Sequence, residues 1–192
     1  KMHFTLCDLL SDITQNAIEA ASSVITVTML ISNTDLQVKI SDNGKGMSPE
    51  QLERAKDPFY TDGVKHPKRK IGLGIPFLIQ TAESTGGYWD IQSKVKDSSN
   101  MESGTVVSVN FDLANIDTPP LGDVSAYIRH VLTFDAHYEL LVSGSFYGSS
   151  FEVRRSELLE VLGLKEQGSF TDAAALNLVK LYVDGLLEDN NG

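Results

Sequence analysis

The sequence predicts an α/β fold, and three observations carry the prediction. Residues 6–21, "LCDLLSDITQNAIEAA", place apolar side chains at Leu6, Leu9, Leu10, Ile13, Ala17 and Ala20, which is the buried stripe of an amphipathic helix. Residues 24–33 and 36–42 then read as two strand-like runs, "VITVTMLISN" and "LQVKISD". The same order of a helix followed by two strands recurs further along, after a long polar loop.

In chain order, the first two strands are joined by a turn around Asn33-Thr34-Asp35. The stretch "ISDNGKGMSPEQ", residues 40–51, leads from the second strand into Asp42, two closely spaced glycines and "SPEQ", which can start a helix. Asn43-Gly44 is a strong turn dipeptide, so a hairpin turn is its plain reading. Residues 55–72, "AKDPFYTDGVKHPKRKIG", read as an exposed loop ending in the basic run Lys68, Arg69 and Lys70. "LGIPFLIQTAESTGG" reads as a helix with Pro76 in its first turn, where no intrahelical donor is lost, and Gly86 and Gly87 as a C-terminal cap. "YWDIQSKV" and "GTVVSVNFDL" follow as two more strands.

"ANIDTPPLGD", residues 114–123, resembles a linker, so the chain is expected to divide into residues 1–115 and a small α/β region at 116–192. In that second region "VSAYIRHVLTF" and "RRSELLEVLG" suit helices, and "HYELLVSG" and "SFYGSSFEV" suit strands. A long amphipathic helix, "FTDAAALNLVKLYVDGLLED", ends it, with Leu176, Val179, Leu181, Val183, Leu186 and Leu187 apolar. Core packing is the plain reading of that stripe, and the seam of a homodimer is its alternative. Docking or oligomerisation is the expected use of the region.

The formal net charge of -10 does not favour non-specific binding to nucleic acid or to anionic membranes. Cys7 is the one cysteine, so neither an intrachain disulfide nor a multi-cysteine zinc site is available. Its neighbours Leu6, Leu9 and Leu10 suit a buried core thiol. No apolar run reaches the roughly 18 to 20 residues that span a bilayer, and a reducing, cytoplasmic setting is expected.

Polar residues gather at the ends of elements. Asp12, Asn16 and Glu19 lie three or four residues apart on the first helix and so share a face. A solvated surface explains such a face, but Asn16 sits within "QNAI" at a helix position where propensity would favour alanine or lysine. An amide carbonyl there suits magnesium, which takes hard oxygen ligands and shares them with phosphates.

"DITQNAIEA", "DNGKGM", "DPFYTDG", "GLGIPF" and "SGTVVSVNF" occur in the order and rough spacing of the GHKL ATPases. That superfamily includes gyrase-type topoisomerases, a heat-shock chaperone, histidine kinases and a mismatch-repair ATPase. The resemblance spans roughly residues 5–113 and is nearest to the ATP-binding domain of histidine kinases. It implies a Bergerat-type α/β sandwich, with a mixed, largely antiparallel sheet covered on one face by helices.

It further implies an ATP and Mg2+ site. Asp42 would accept a hydrogen bond from the adenine amino group, and Gly44 and Gly46 would let the backbone pass close to the base. Met47 would line the adenine pocket, and Thr105 would support the adenine contact through water. Asn16 would be the metal ligand. Gly72, Leu73 and Gly74 would bring N–H groups and a helix start toward the triphosphate. Lys70 would meet phosphate oxygens, and Phe59 would anchor a mobile lid.

The sequence departs from the usual histidine-kinase glycine box, Gly-Thr-Gly-Leu-Gly, in having Lys70-Ile71 where its first two residues would stand. Many histidine kinases carry asparagine where this chain has Asp12, whereas hydrolysing members and anti-sigma serine kinases carry an acid. Asp12 is therefore the candidate general base, polarising a water or a serine hydroxyl. None of His3, His66, His130 and His137 lies in an H-E-x-R-T-P context, so a phosphoacceptor is expected on another chain. The expected function is an ATPase or protein kinase acting on a protein partner in signalling. The alternative is a non-catalytic switch in which ATP or ADP sets the affinity for a partner.

Overall fold

The computed structural model describes residues 4–59, 73–97, 102–165 and 169–188. Helix α1 spans Leu6–Glu19 and opens with a capping box, in which the Thr5 hydroxyl accepts from the Asp8 N–H while the Asp8 carboxylate accepts from the Thr5 N–H. Strands β1 (Val24–Ile31) and β2 (Asp35–Asp42) follow as an antiparallel pair. Helix α2 (Pro49–Lys56) starts at "SPEQ", with Ser48 and Gln51 forming a second capping box and proline in the first turn.

Helix α3 (Gly74–Ser84) ends as the sequence predicts. Gly86 takes the left-handed conformation at φ 74°, and the Gly87 N–H returns to the Ala82 carbonyl at 2.8 Å, a Schellman closure. Strands β3 (Tyr88–Lys94) and β4 (Gly104–Asp112) precede α4 (Val124–Leu132), β5 (Glu139–Phe146), β6 (Ser149–Arg154), α5 (Arg155–Val161) and α6 (Ala173–Glu188).

The six strands form one sheet in the order β3-β4-β2-β1-β5-β6. The neighbours are antiparallel except β1 and β5, which run parallel. Period-two alternation puts one face of every strand in the core. Val27 faces Ile40, Val38 faces Val109, Ile25 faces Leu140 and Val142 faces Val153, all of them buried. The apolar stripes of α1, α3, α4 and α6 join the same core. The opposite face carries Thr26, Gln37, Lys39, Asn110 and Ser143, half-buried or exposed. This is the mixed, largely antiparallel α/β architecture that the sequence predicts.

The expected division at residue 115 falls between β4 and α4. Beyond it the chain returns to the sheet through β5 and β6, and to α1 through its loop and α4. The Leu6 and Cys7 N–H groups donate to the Pro120 and Leu121 carbonyls at 2.9 and 3.0 Å. The Thr14 and Tyr127 hydroxyls meet at 2.9 Å in the interior. Helix α1 therefore lies between α3 and α4, with its polar face left at the surface.

Candidate functional site

Asp42 closes β2, and its carboxylate is half-buried. Its Oδ1 accepts from the Gly44 N–H at 2.8 Å and lies 3.1 Å from the Ser22 hydroxyl. Loss of water raises its pKa above the ordinary carboxylate value, against the lowering effects of the Gly44 N–H, the Ser22 hydroxyl and the Thr105 backbone. The adjoining turn is tied to the start of β1. Asn43 Oδ1 accepts from the Ser23 and Val24 N–H groups, each at 2.9 Å, and Asn43 Nδ2 donates to Ser23 Oγ at 2.8 Å.

The glycines of this turn are required by the chain's own packing. A β-carbon at Gly44 would lie 2.6 Å from Ser22 Oγ and 2.8 Å from the Ala20 carbonyl. At Gly46, with φ 66°, it would run into the Lys94 carbonyl of β3. The turn is thus wedged between the end of α1 and the end of β3, and the Lys45 N–H donates to the Ala20 carbonyl at 3.1 Å.

Met47 is half-buried against the core, and its N–H donates to Ser93 Oγ at 2.8 Å. Ser93 Oγ meets Thr105 Oγ1 at 2.7 Å, so Asp42, Met47 and Thr105 belong to one hydrogen-bonded neighbourhood.

The second group lies where α1 meets the start of α3. Asp12, Asn16 and Glu19 are exposed on the same face of α1, and Glu19 accepts from Gln15 Nε2 at 2.8 Å. A β-carbon at Gly74 would lie 3.3 Å from Asp12 Cβ and 3.8 Å from Asn16 Nδ2, so the two helices touch at these residues. The Asn16 side chain makes no hydrogen bond among the described residues. Leu73 caps α3 without a side-chain hydrogen bond and is 38% exposed. The first N–H groups of α3 therefore have no intrahelical acceptor, and the Asn16 amide lies close to the same helix start.

Phe59 is 90% exposed, and its N–H donates to Asp57 Oδ1 at 2.8 Å. Lys70 and Gly72 lie outside the described residues, as do Lys68, Arg69 and His66. Among the described residues no cluster of three or more His, Cys, Asp or Glu side chains could hold a metal. A magnesium ion that takes most of its ligands from phosphate and water needs no such cluster, and the exposed Asn16 amide offers one oxygen of the kind it takes.

Ser22 and Ser93 are absent from the residues that sequence reading selects. Ser22 looks like a solvated helix-end serine, yet it is 3% exposed. Ser93 did leave a signal. It continues the inward alternation of Trp89 and Ile91, and a hydroxyl at such a position needs a partner.

A 96-residue stretch is 27% identical to the NtrY-like sensor histidine kinase of Rickettsia conorii (strain ATCC VR-613 / Malish 7), covering 50% of this chain and 14% of that protein. A 103-residue stretch is 32% identical to the histidine protein kinase DivJ of Caulobacter vibrioides, covering 50% of this chain and 16% of that one. The chain thus matches only about a seventh of the length of these relatives. Among solved structures, the catalytic domain of histidine kinase ThkA shares 22% identity at a TM-score of 0.40, covering 58% of this chain and 66% of that one. Full-length ShkA in complex with AMPPNP shares 17% identity at the same TM-score of 0.40, covering 57% and 22%. Residues 4–115, more than half of the sequence, match the family described as histidine kinase-, DNA gyrase B-, and HSP90-like ATPases, and the chain belongs to that family.

Proposed function

We propose that the surface bounded by the Asp42 turn, the polar face of α1 and the start of α3 binds ATP with magnesium. We propose further that the chain passes the γ-phosphoryl group to a protein partner, or to water, in a signalling setting. The observation that carries this reading is the Asp42 carboxylate. It is half-buried, held by the Gly44 N–H at 2.8 Å and adjacent to Thr105, so it is a fixed acceptor suited to a purine amino group.

Met47 offers the base an apolar wall. Asn16 would hold magnesium, which when bound neutralises charge on the phosphates. The N–H groups at the start of α3, which have no intrahelical acceptor, and its dipole favour the same anion. Asp12, one helical turn before Asn16 and beside Gly74, would take the proton of an attacking hydroxyl. That oxygen bonds the γ-phosphorus, the bond to the β–γ bridging oxygen breaks, and ADP leaves. The protein's part in such a transfer is chiefly positioning and electrostatics.

The test is incubation with magnesium and γ-labelled ATP, beside calorimetry of the unmodified protein and Asp42→Ala. Free labelled phosphate identifies an ATPase, and label on a co-purified protein identifies a kinase and its substrate. ATP binding without transfer identifies a nucleotide-dependent switch. Unchanged ATP affinity in Asp42→Ala, or equal affinity for GTP in the unmodified protein, overturns the reading.

A further inference from the structure

Ser22 lies three residues beyond the end of α1, where a serine ordinarily faces water, yet it is 3% exposed. Its Oγ is 2.6 Å from the Ala17 carbonyl on α1 and 3.1 Å from Asp42 Oδ1 on β2. The hydroxyl has one proton and two acceptors, so it joins the helix that carries Asn16 to the carboxylate proposed to read the base. A serine serving only to close the helix would need the carbonyl alone.

The Gly44 N–H reaches the same Oδ1 at 2.8 Å. Oδ1 is thus held by the Gly44 N–H and by a share of the Ser22 proton, whose nearer acceptor is the Ala17 carbonyl, and the two together restrain the carboxylate plane from turning. Ser22 and Gly44 therefore set how the rest of the group meets a ligand. The space is reserved for this contact, since a β-carbon at residue 44 would lie 2.6 Å from Ser22 Oγ.

We propose that Ser22 is a positioning residue that orients Asp42 toward a purine 6-amino group, and that it thereby sets the preference for adenine over 6-oxopurine nucleotides. The proposal rests on the ATP reading of Asp42. An oriented carboxylate rewards the amino donor of adenine and opposes the carbonyl of hypoxanthine, whereas a freely turning one discriminates less.

The experiment is calorimetric titration of the full chain with ATP and with ITP, each with magnesium, in the unmodified protein, Ser22→Ala and Ser22→Cys. Thermal melting accompanies each variant. The unmodified protein should prefer ATP. Ser22→Ala should shrink the ATP-to-ITP affinity ratio about tenfold by weakening ATP alone, and Ser22→Cys, with its weak donor, should fall between.

Parallel weakening of both nucleotides would show that Ser22 only supports the fold, and the proposal fails. An unchanged ratio in Ser22→Ala, beside a clear preference in the unmodified protein, overturns the role of Ser22 and leaves the ATP reading standing. No preference in the unmodified protein overturns both. If Ser22→Ala does not fold, the ratio measured for Ser22→Cys decides by the same criteria.

Discussion

In the role proposed for it, Asp42 would tie stability to recognition in one side chain. Its pKa is raised, so the folded protein binds that proton more tightly than the unfolded chain does, and the ionised form opposes folding at neutral pH. That cost is absent below the unfolded value of 3.8 and complete above the folded value. Asp42→Asn should therefore melt at a higher temperature than the unmodified protein at pH 7, the difference vanishing in acid. In the same variant ATP affinity should drop at least about tenfold, because an amide N–H would face the purine amine, and ITP should be gained relative to ATP. In the unmodified protein ATP affinity should hold at neutral pH and fall by about tenfold per pH unit below the raised pKa. Asp12 is separable from this. Asp12→Asn should keep ATP affinity while lowering any turnover by roughly 100-fold or more, as read by phosphate release. Cys7 carries no chemistry of this kind. It is 4% exposed with its thiol pushed up to about 12, first by burial and then by Asp123 and Asp8, so a thiol reagent at pH 8 should label it only on unfolding.

Among the elements, those with local signals were legible in the sequence. The leucine stripe gave α1, the alternation gave β1, β2 and β4, and the glycine pair ended α3, because each depends on neighbours within a few residues. Asn16 and Asp12 could be placed on one helical face for the same reason, and Gly74 could be placed at a helix start. The pairing of β1 with β5 could not be read, since Ile25 and Leu140 meet across more than a hundred residues and either strand would suit many neighbours. Arg155 was equally hidden. Within "RRSELLEVLG" it resembles a surface charge, yet it is 1% exposed at the start of α5. It donates to the Leu132 and Tyr138 carbonyls at 3.0 Å each, and its guanidinium lies 4.3 Å from the centre of the Tyr138 ring. The segment between α4 and β5 is organised around that one side chain. Arg155→Met should leave those buried carbonyls without donors and cost about 3 kcal/mol or more, seen as a lower urea midpoint with an unchanged slope.

On the scale of the whole molecule, the family match ends at residue 115 while the sheet continues to β6. Residues 116–188 supply the parallel partner of β1, the acceptors for the first N–H groups of α1, and the tyrosine that meets Thr14 in the core. Without them β1 would become an edge strand, although Ile25, Val27 and Met29 are fully buried in the intact chain. The face of α1 now covered by α4 would be wetted as well. Because Asn16 and Ser22 are positioned by α1 and by the segment that joins it to β1, the surface proposed to bind nucleotide depends on both halves of the chain. A protein ending at residue 115 should therefore lack a cooperative melting transition and bind ATP weakly. Adding residues 116–192 as a separate chain should restore both if the two halves associate through β1 and β5. Circular dichroism melts with and without ATP and magnesium provide the measurement. An isolated 1–115 chain that melts cooperatively and binds ATP as the full chain does would show that the second half serves docking alone.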